Sequence, residues 1–380
     1  MGYDYKYWVW LSTIPKISPL KRRLLLEKLG SPKNVWDAGE LDLSGLDFLS
    51  PDSVKQLRST KFRDEAEIHF ENLYKHGVKM TTIEDKLYPQ QLKNTYDPPV
   101  VLFTKGTLQG DEKMIAVVGS RNATPYGLKT AERISFELAK AGITIVSGMA
   151  KGVDSHAHKG ALKAGGRTVA VMGCGLDRAY PPGNEGLMAK IINSGAAVSE
   201  YVTGVPPMAH NFPARNRIIS GASYGVVIIE AGEKSGSLIT ADFALEQGRE
   251  VFAVPGNVNS STSVGTNKLI REGAKMVTCI EDILEELKNS LGTNTSIKKV
   301  DHKKQRMENN DFKGLDEEEA LILKSLKTGQ LHIDAVAFRC GLAVQTVASL
   351  LLMLELKGLV EQLPGKVFKY KAGNKNKNML

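Results

Sequence analysis

Apolar residues along this chain follow two rhythms that take turns. From Met114 onward, short β-branched runs alternate with longer segments whose apolar positions recur at helical spacing. MIAVVG is followed by a polar loop and the amphipathic YGLKTAERISFELAKAG. ITIVSG precedes SHAHKGALKAGG, RTVAVMG precedes NEGLMAKIINSG, and AAVSE precedes ARNRIISGAS. YGVVIIEAG precedes GSLITADFALEQG, REVFAVPG precedes GTNKLIREGA, and KMVT closes the series. Strands alternating with helices of about ten residues predict a doubly wound parallel α/β sheet. Residues 1–80 read as helices instead, with helical spacing in ISPLKRRLLLEKLGSPKNVW and KQLRSTKFRDEAEIHFENLYKHG and a Gly-Ser-Pro stop. Residues 81–113 read as a proline-dotted lead-in to the sheet domain, which is placed at 81–287. The polar, basic stretch 288–314 reads as a flexible linker, and the tail AGNKNKNML as disordered. Between them, at 315–371, three helical patterns precede the short hairpin LVEQLPGKVFKY, the order of a winged helix.

An open α/β sheet binds ligands beyond the carboxyl ends of its strands. Here those ends lead into Gly119-Ser120-Arg121-Asn122, Ser147–Asp154, Gly173-Cys174-Gly175, FPARNR, Glu230–Ser237 and Pro255-Gly256-Asn257. Glycine lets backbone N–H groups approach an anion, and each following helix N-terminus adds partial positive charge. Several phosphate-type cradles are therefore expected along one edge. The usual nucleotide signatures are missing. Gly127-Leu128-Lys129-Thr130 has a leucine inside the P-loop pattern, and GCGLDR has arginine where a dinucleotide fingerprint needs glycine.

The stretch FPARNRIISGAS places Arg215 and Arg217 between segments that read as buried, where an unpaired arginine costs several kcal/mol. Two residues apart on a helix, they point to different faces. One is expected at the ligand edge and the other in an internal pair with Glu200 or Glu230, and those two carboxylates are read as partners of the arginines rather than as catalytic acids. Pro213 suits a first helical turn. Phe212, just before it, either stacks on a base or packs on Ile218. His156 and His158, at i and i+2, fall on different helix faces and read as local structural groups rather than metal ligands. Ser147, Ser235 and Ser237 have no histidine partner that the sequence can place.

Charge refines this picture. The net charge is +8. Residues 81–287 hold 21 basic and 21 acidic residues, so any anion site there depends on local charge and backbone dipoles. Cys174, Cys279 and Cys340 are too few and too scattered for a disulfide framework or a zinc site. No long apolar run or signal-like N-terminus is present in the sequence, which makes a cytoplasmic protein without membrane attachment the expectation.

VVGSR (117–121), SGMAKGVDSHAHKGAL (147–162), FPARNRIISGAS (212–223), EAGEKSGSLITADFALEQGREVFAVPG (230–256) and GTNKLIREGA (265–274) resemble the DprA/Smf DNA-processing proteins, in order and through roughly the whole sheet domain. The resemblance implies an α/β fold with an extended Rossmann-like doubly wound parallel sheet. An N-terminal helical domain of SAM or helix-hairpin-helix type and a C-terminal winged helix would flank it. It further implies a non-catalytic, cytoplasmic single-stranded DNA-binding protein, without a cofactor, that protects incoming DNA in natural transformation and loads the RecA recombinase. Such proteins are typically homodimers. Carried over by motif, the DNA site would involve Gly119, Ser120, Arg121, the Ser147–Asp154 loop with Gly148 and Lys151, Phe212, Arg215, Asn216, Arg217, and Lys234, Ser235, Gly236 and Ser237. Arg121 and Lys151 would supply charge and Phe212 would stack a base.

Two segments depart from the pattern. Pro15-Lys16-Ile17-Ser18 stands where a helix-hairpin-helix carries glycines, so no close phosphate contact is expected there. AVQTVASLLLMLELKG has no basic residue before Lys357, so a protein-contact or regulatory role for the winged helix is at least as well supported as DNA reading. The competing enzyme reading is a nucleotide phosphoribohydrolase of the LOG type. That family carries a glutamate after its glycine-rich loop, and only Asp242 is available here to replace it. A weaker third reading is a nucleotide-sensing transcription regulator.

Overall fold

The computed structural model describes residues 5–291, 316–327 and 329–371. The chain divides into two compact units, residues 1–294 and 295–380. The first unit opens with six helices between Tyr5 and Lys75. Three of them begin at a Ser-Pro pair. Ser18, Ser31 and Ser50 accept the backbone N–H of Lys21, Asn34 and Ser53, and the following proline occupies the first helical position, where no N–H is needed. Trp10, Leu11, Ile14, Leu25, Leu43 and Leu57 form the core of this bundle. In the turn at 15–18, Lys16 takes φ 58°, so a lysine, not a glycine, adopts the left-handed conformation there.

The sheet contains β1 (Lys79–Thr82), β2 (Val101–Gly106), β3 (Met114–Val118), β4 (Thr144–Ser147), β5 (Thr168–Met172), β6 (Ala196–Ser199), β7 (Gly225–Ile228), β8 (Glu250–Ala253) and β9 (Lys275–Met276). Its order is β1-β2-β6-β5-β4-β3-β7-β8-β9. Strands β3 to β9 are parallel, as the alternating pattern predicts. The lead-in is not simply a connection. β2 pairs antiparallel with β6 and β1 antiparallel with β2, extending the sheet to nine strands. Pro98-Pro99 interrupt the pattern immediately before β2, and neither strand is followed by a crossover helix of the βαβ kind.

Alternation along β3 sorts its side chains onto two faces. Met114, Ala116 and Val118 pack with Ile218, Ile219, Ala241 and Ala244 on one side. Ile115 and Val117 pack with Ala131, Ile134, Val153 and Ala157 on the other. Helices thus cover both faces. The strand order reverses between β3 and β7, and a crevice opens at their carboxyl ends.

In the second unit, helices Glu317–Leu326, Ile333–Cys340 and Val344–Leu356 pack on a small antiparallel sheet of β10 (Leu331–His332), β11 (Val360–Leu363) and β12 (Val367–Tyr370). Ile322, Val336, Val347, Leu351, Leu354 and Phe368 form its core, which is the winged-helix arrangement. Helix Lys288–Leu291 occupies the start of the expected linker. The rest of that linker and the 372–380 tail lie outside the described residues. Among the described residues no single helix is long and apolar enough to cross a membrane.

Candidate functional site

A cleft of about 480 Å³ lies over the carboxyl ends of β3, β4 and β7. Three loops form it by passing close to one another. A Cβ on Gly119 would stand 2.8 Å from Val153 Cγ2 and 3.0 Å from the Glu230 carbonyl. Ser120 N donates to that same carbonyl at 2.7 Å. Gly152 has φ 81°, and a Cβ there would meet the Ser120 carbonyl at 2.4 Å, so only glycine fits. This packing leaves Arg121 exposed on the rim, its guanidinium 5.7 Å from the centroid of the Phe212 ring.

The β4 loop is held from below. Asp154 accepts the N–H groups of Gly148 at 3.2 Å and Ala150 at 3.4 Å, which fixes the loop around Met149, itself at φ 58°. Burial pushes the Asp154 carboxyl up, and the nearby Arg215 charge opposes that shift. Ser147 Oγ donates to the Val117 carbonyl at 2.7 Å, tying β4 to β3. It is fully buried and does not line the cleft, a correction to its expected place in the site. Lys151 is exposed and lines an adjoining cleft.

Helix Asn211–Gly221 carries the arginine pair. Phe212 stands in its first turn, inside the helix rather than before it. Arg215 runs beneath the cleft floor. Its Nη1 donates to the Gly148 carbonyl at 2.8 Å and to the Val171 carbonyl, and a Cβ on Gly148 would stand 2.5 Å from its guanidinium. Burial pulls its pKa down, with Asp154 opposing.

Arg217 points the other way, as the two-residue spacing predicts. Its Nη2 donates to Glu200 Oε2 at 2.5 Å and its Nη1 to the Asp97 carbonyl at 2.8 Å. Burial works against this guanidinium, but Glu200 and then Asp97 more than offset it and raise its pKa. Arg217 therefore lies outside the cleft, because the internal carboxylates occupy it, and the structure does not bring it together with the other expected site residues. Glu230 is not an arginine partner. It accepts Thr124 N at 2.8 Å and Thr124 Oγ1 at 2.6 Å, capping the loop after β3.

On the opposite wall, Ser235 caps helix Gly236–Glu246 by accepting Ser237 N at 3.4 Å, with the two hydroxyls 2.8 Å apart. Asn216 Nδ2 donates to the Gly236 carbonyl at 3.3 Å. Lys234 stands exposed at the cleft. The structure thus brings together Gly119, Ser120, Arg121, Asp154, Phe212, Arg215, Asn216, Lys234, Ser235, Gly236 and Ser237 along one cleft. Among the described residues, neither Arg121, Lys151 nor Lys234 has an ion-pair or hydrogen-bonded side-chain partner.

Phe212 does not serve as a staple on Ile218. Its ring stacks on Tyr180, with centroids 5.2 Å apart and planes 28° from parallel, while Ile218 is buried in the sheet core. Tyr180 escaped the sequence reading because it lies beyond the first residues after β5; its signal was an aromatic next to two prolines in AYPPGN. His158 is buried against Thr168 Oγ1 at 2.7 Å, and burial pushes its pKa down to about 3. His156 Nδ1 lies 2.9 Å from the Gly152 carbonyl. In the winged helix, Lys357 is bound to both oxygens of Glu319 at 2.7 Å. Helix Val344–Leu356 shows solvent Leu352, Met353 and Leu356.

Residues 79–288 match the family model described as DNA recombination-mediator protein A, and residues 311–366 match the DprA winged helix domain. The chain is 41% identical to Protein Smf of Escherichia coli (strain K12), over 74% of this chain and 75% of that protein. The X-ray structure of DNA processing protein A from Streptococcus pneumoniae aligns with a TM-score of 0.61 and 37% identity, covering 74% of this chain and 97% of that one. A Helicobacter pylori DNA processing protein A structure, described by its single-stranded DNA binding mode, aligns with a TM-score of 0.50 and 32% identity, covering 56% of this chain and 97% of that one.

Proposed function

Because the chain belongs to the DprA/Smf family of DNA recombination-mediator proteins, we propose that it binds single-stranded DNA in the cleft at the carboxyl ends of β3, β4 and β7. In this reading it is a non-catalytic protein that shields incoming strands and hands them to RecA in natural transformation and recombination. It acts in the cytoplasm as a homodimer and needs no cofactor. The single observation that carries the DNA reading is the set of unpaired cations, Arg121, Lys151 and Lys234, gathered around loops that end in helix N-termini. Cations without an ion-paired or hydrogen-bonded partner suit phosphates, and helix starts add oriented N–H groups.

The charge is too local for a duplex-binding face and suits a strand threaded through a narrow site. The enzyme alternative finds less support. Asp242 is exposed on helix Gly236–Glu246 and does not line the cleft. Asp154, which does, is committed to the loop N–H groups.

The test is fluorescence anisotropy with labelled single- and double-stranded oligonucleotides at two salt concentrations. Single strands should bind preferentially, with a log–log salt slope of about −0.7 per phosphate contacted. Arg121→Ala should lose most of that binding while melting like the parent. Equal binding of duplex, or full binding by a folded Arg121→Ala protein, would rule out this site.

A further inference from the structure

A second chamber of about 330 Å³ adjoins the first and shares Arg121, Asn122, Ala150, Phe212 and Arg215 with it. Its own walls are Gly148, Lys151, Tyr180, Pro181 and Pro182. Chambers of this size fall in the range that accommodates small ligands, roughly 300–1,000 Å³. The composition is specific. The half-buried Tyr180 and the two prolines offer apolar surface suited to a flat ring, while Lys151 is an exposed cation without a protein partner among the described residues. The wall is also anchored. Asn184, at the end of the Tyr180 loop, donates to the Met149 carbonyl at 3.0 Å and to Ser155 Oγ at 3.1 Å, fastening that loop to the β4 loop.

The Phe212 ring lines both chambers, and Tyr180 is stacked on it. Arg121 and Asn122 also line both. A linear polymer whose flat rings are joined by anionic linkages matches this arrangement: one ring in each chamber and the linkage over the shared arginine. Resting on the single-strand reading above, we infer that the second chamber is a subsite for the neighbouring nucleotide of the same strand. Tyr180 packs on its base, Lys151 meets its outer phosphate, and Arg121 meets the phosphate between the two nucleotides. The protein then recognises a dinucleotide step rather than a lone base.

The experiment is competition by thymidine 5′-monophosphate, the dinucleotide pdTpdT and dinucleotides with either base replaced by an abasic sugar, against a labelled 20-mer of thymidylate. The full chain is used. One stacked base contributes roughly 5- to 150-fold in affinity. The dinucleotide should gain at least fivefold over the mononucleotide, and removing either base should cost a similar factor. Tyr180→Ala should lose the gain from the second base and Tyr180→Phe should restore it. Lys151→Ala should reduce the salt slope by about 0.7. A dinucleotide no tighter than the mononucleotide, or a gain that survives in a folded Tyr180→Ala protein, overturns the subsite while leaving single-strand binding intact. Failure of the wild-type protein to bind the 20-mer at all sinks the parent reading and this one with it.

Discussion

Arg217 offers the sharpest test of how the FPARNR segment divides its charges. The Arg217→Ala protein would lose the 2.5 Å bond to Glu200, the 2.8 Å bond to the Asp97 carbonyl and the 3.4 Å approach to the Asp97 carboxylate. The Arg217 and Glu200 side chains are only 8% and 12% exposed, and Glu200 Oε1 is buried and already lacks a hydrogen-bond partner. Truncation therefore strands a carboxylate in the interior, a change that costs about 3–5 kcal/mol. At roughly 2–4 °C per kcal/mol, the melting point should fall by about 6–20 °C. Denaturation followed by tryptophan fluorescence isolates the relevant unit, since Trp8, Trp10 and Trp36 all belong to residues 1–294. The pH dependence has a defined sign. Burial already raises the Asp97 carboxyl and Arg217 opposes that shift. Without the cation, folding penalises the ionised acid more, so the variant's deficit should be larger at pH 8 than at pH 5. A loss under 1 kcal/mol, accompanied by weaker oligonucleotide binding, would refute the assignment and return Arg217 to the DNA site.

Four further outcomes follow from the same geometry. His158, held near pKa 3 against an ordinary 6.5, must stay neutral to remain buried, so its contribution is intact above pH 6.5 and is lost as pH falls toward 3. Between pH 7 and pH 5 this alone should remove about 2 kcal/mol, measurable by urea titration and reduced in a His158→Gln protein. Cys174 is fully buried with its thiol pushed up to about 11, so iodoacetamide at pH 8 should spare it while modifying Cys340, as read by peptide mass spectrometry. Lys357→Met should change oligonucleotide affinity by less than twofold, because that ammonium is bound to Glu319; a larger loss would make the winged helix a DNA reader. Incubation with AMP should release no adenine by chromatography, and release above a no-protein control would restore the phosphoribohydrolase alternative.

The parts of the fold that were legible in the sequence are those where a local rule and the tertiary environment agree. Strands β3 and β5 are buried on both faces, so MIAVV and the VAVM of β5 read as unbroken apolar runs, each ended by glycine. The Ser-Pro starts of the N-terminal helices satisfy their own N–H groups locally and need no distant partner. β1 and β2 were missed because their pairing is decided elsewhere: β2 is a strand by virtue of its ladder with β6. Within the site, helical spacing fixed that Arg215 and Arg217 part company. It could not say which one faces the cleft, since that depends on Glu200 at the end of β6 and the carbonyl of Gly148 beyond β4. Phe212 is the same kind of case, its partner Tyr180 arriving from the loop beyond β5.

Charge shows the difficulty most plainly, because the sheet domain's 21 basic and 21 acidic residues cancel and offer no hint of an anion site. The hint emerges when each cation is followed to its partner. Arg167 is bound to Glu112, Arg217 to Glu200, and Arg249 to Gln91 and the Gly221 carbonyl, while Arg215 is spent on the carbonyls beneath the cleft. What remains around the crevice is Arg121, Lys151 and Lys234, on three different loops that the reversal of strand order brings together. A buried arginine that meets carbonyls and carboxylates stabilises the scaffold and presents no field to a ligand, whereas an unpaired rim cation beside helix N-termini does. Net charge averages the two kinds. The doubly wound topology separates them, and it is this separation that gives a neutral domain a local cluster of unpaired cations at one edge, the feature on which the proposed strand site rests.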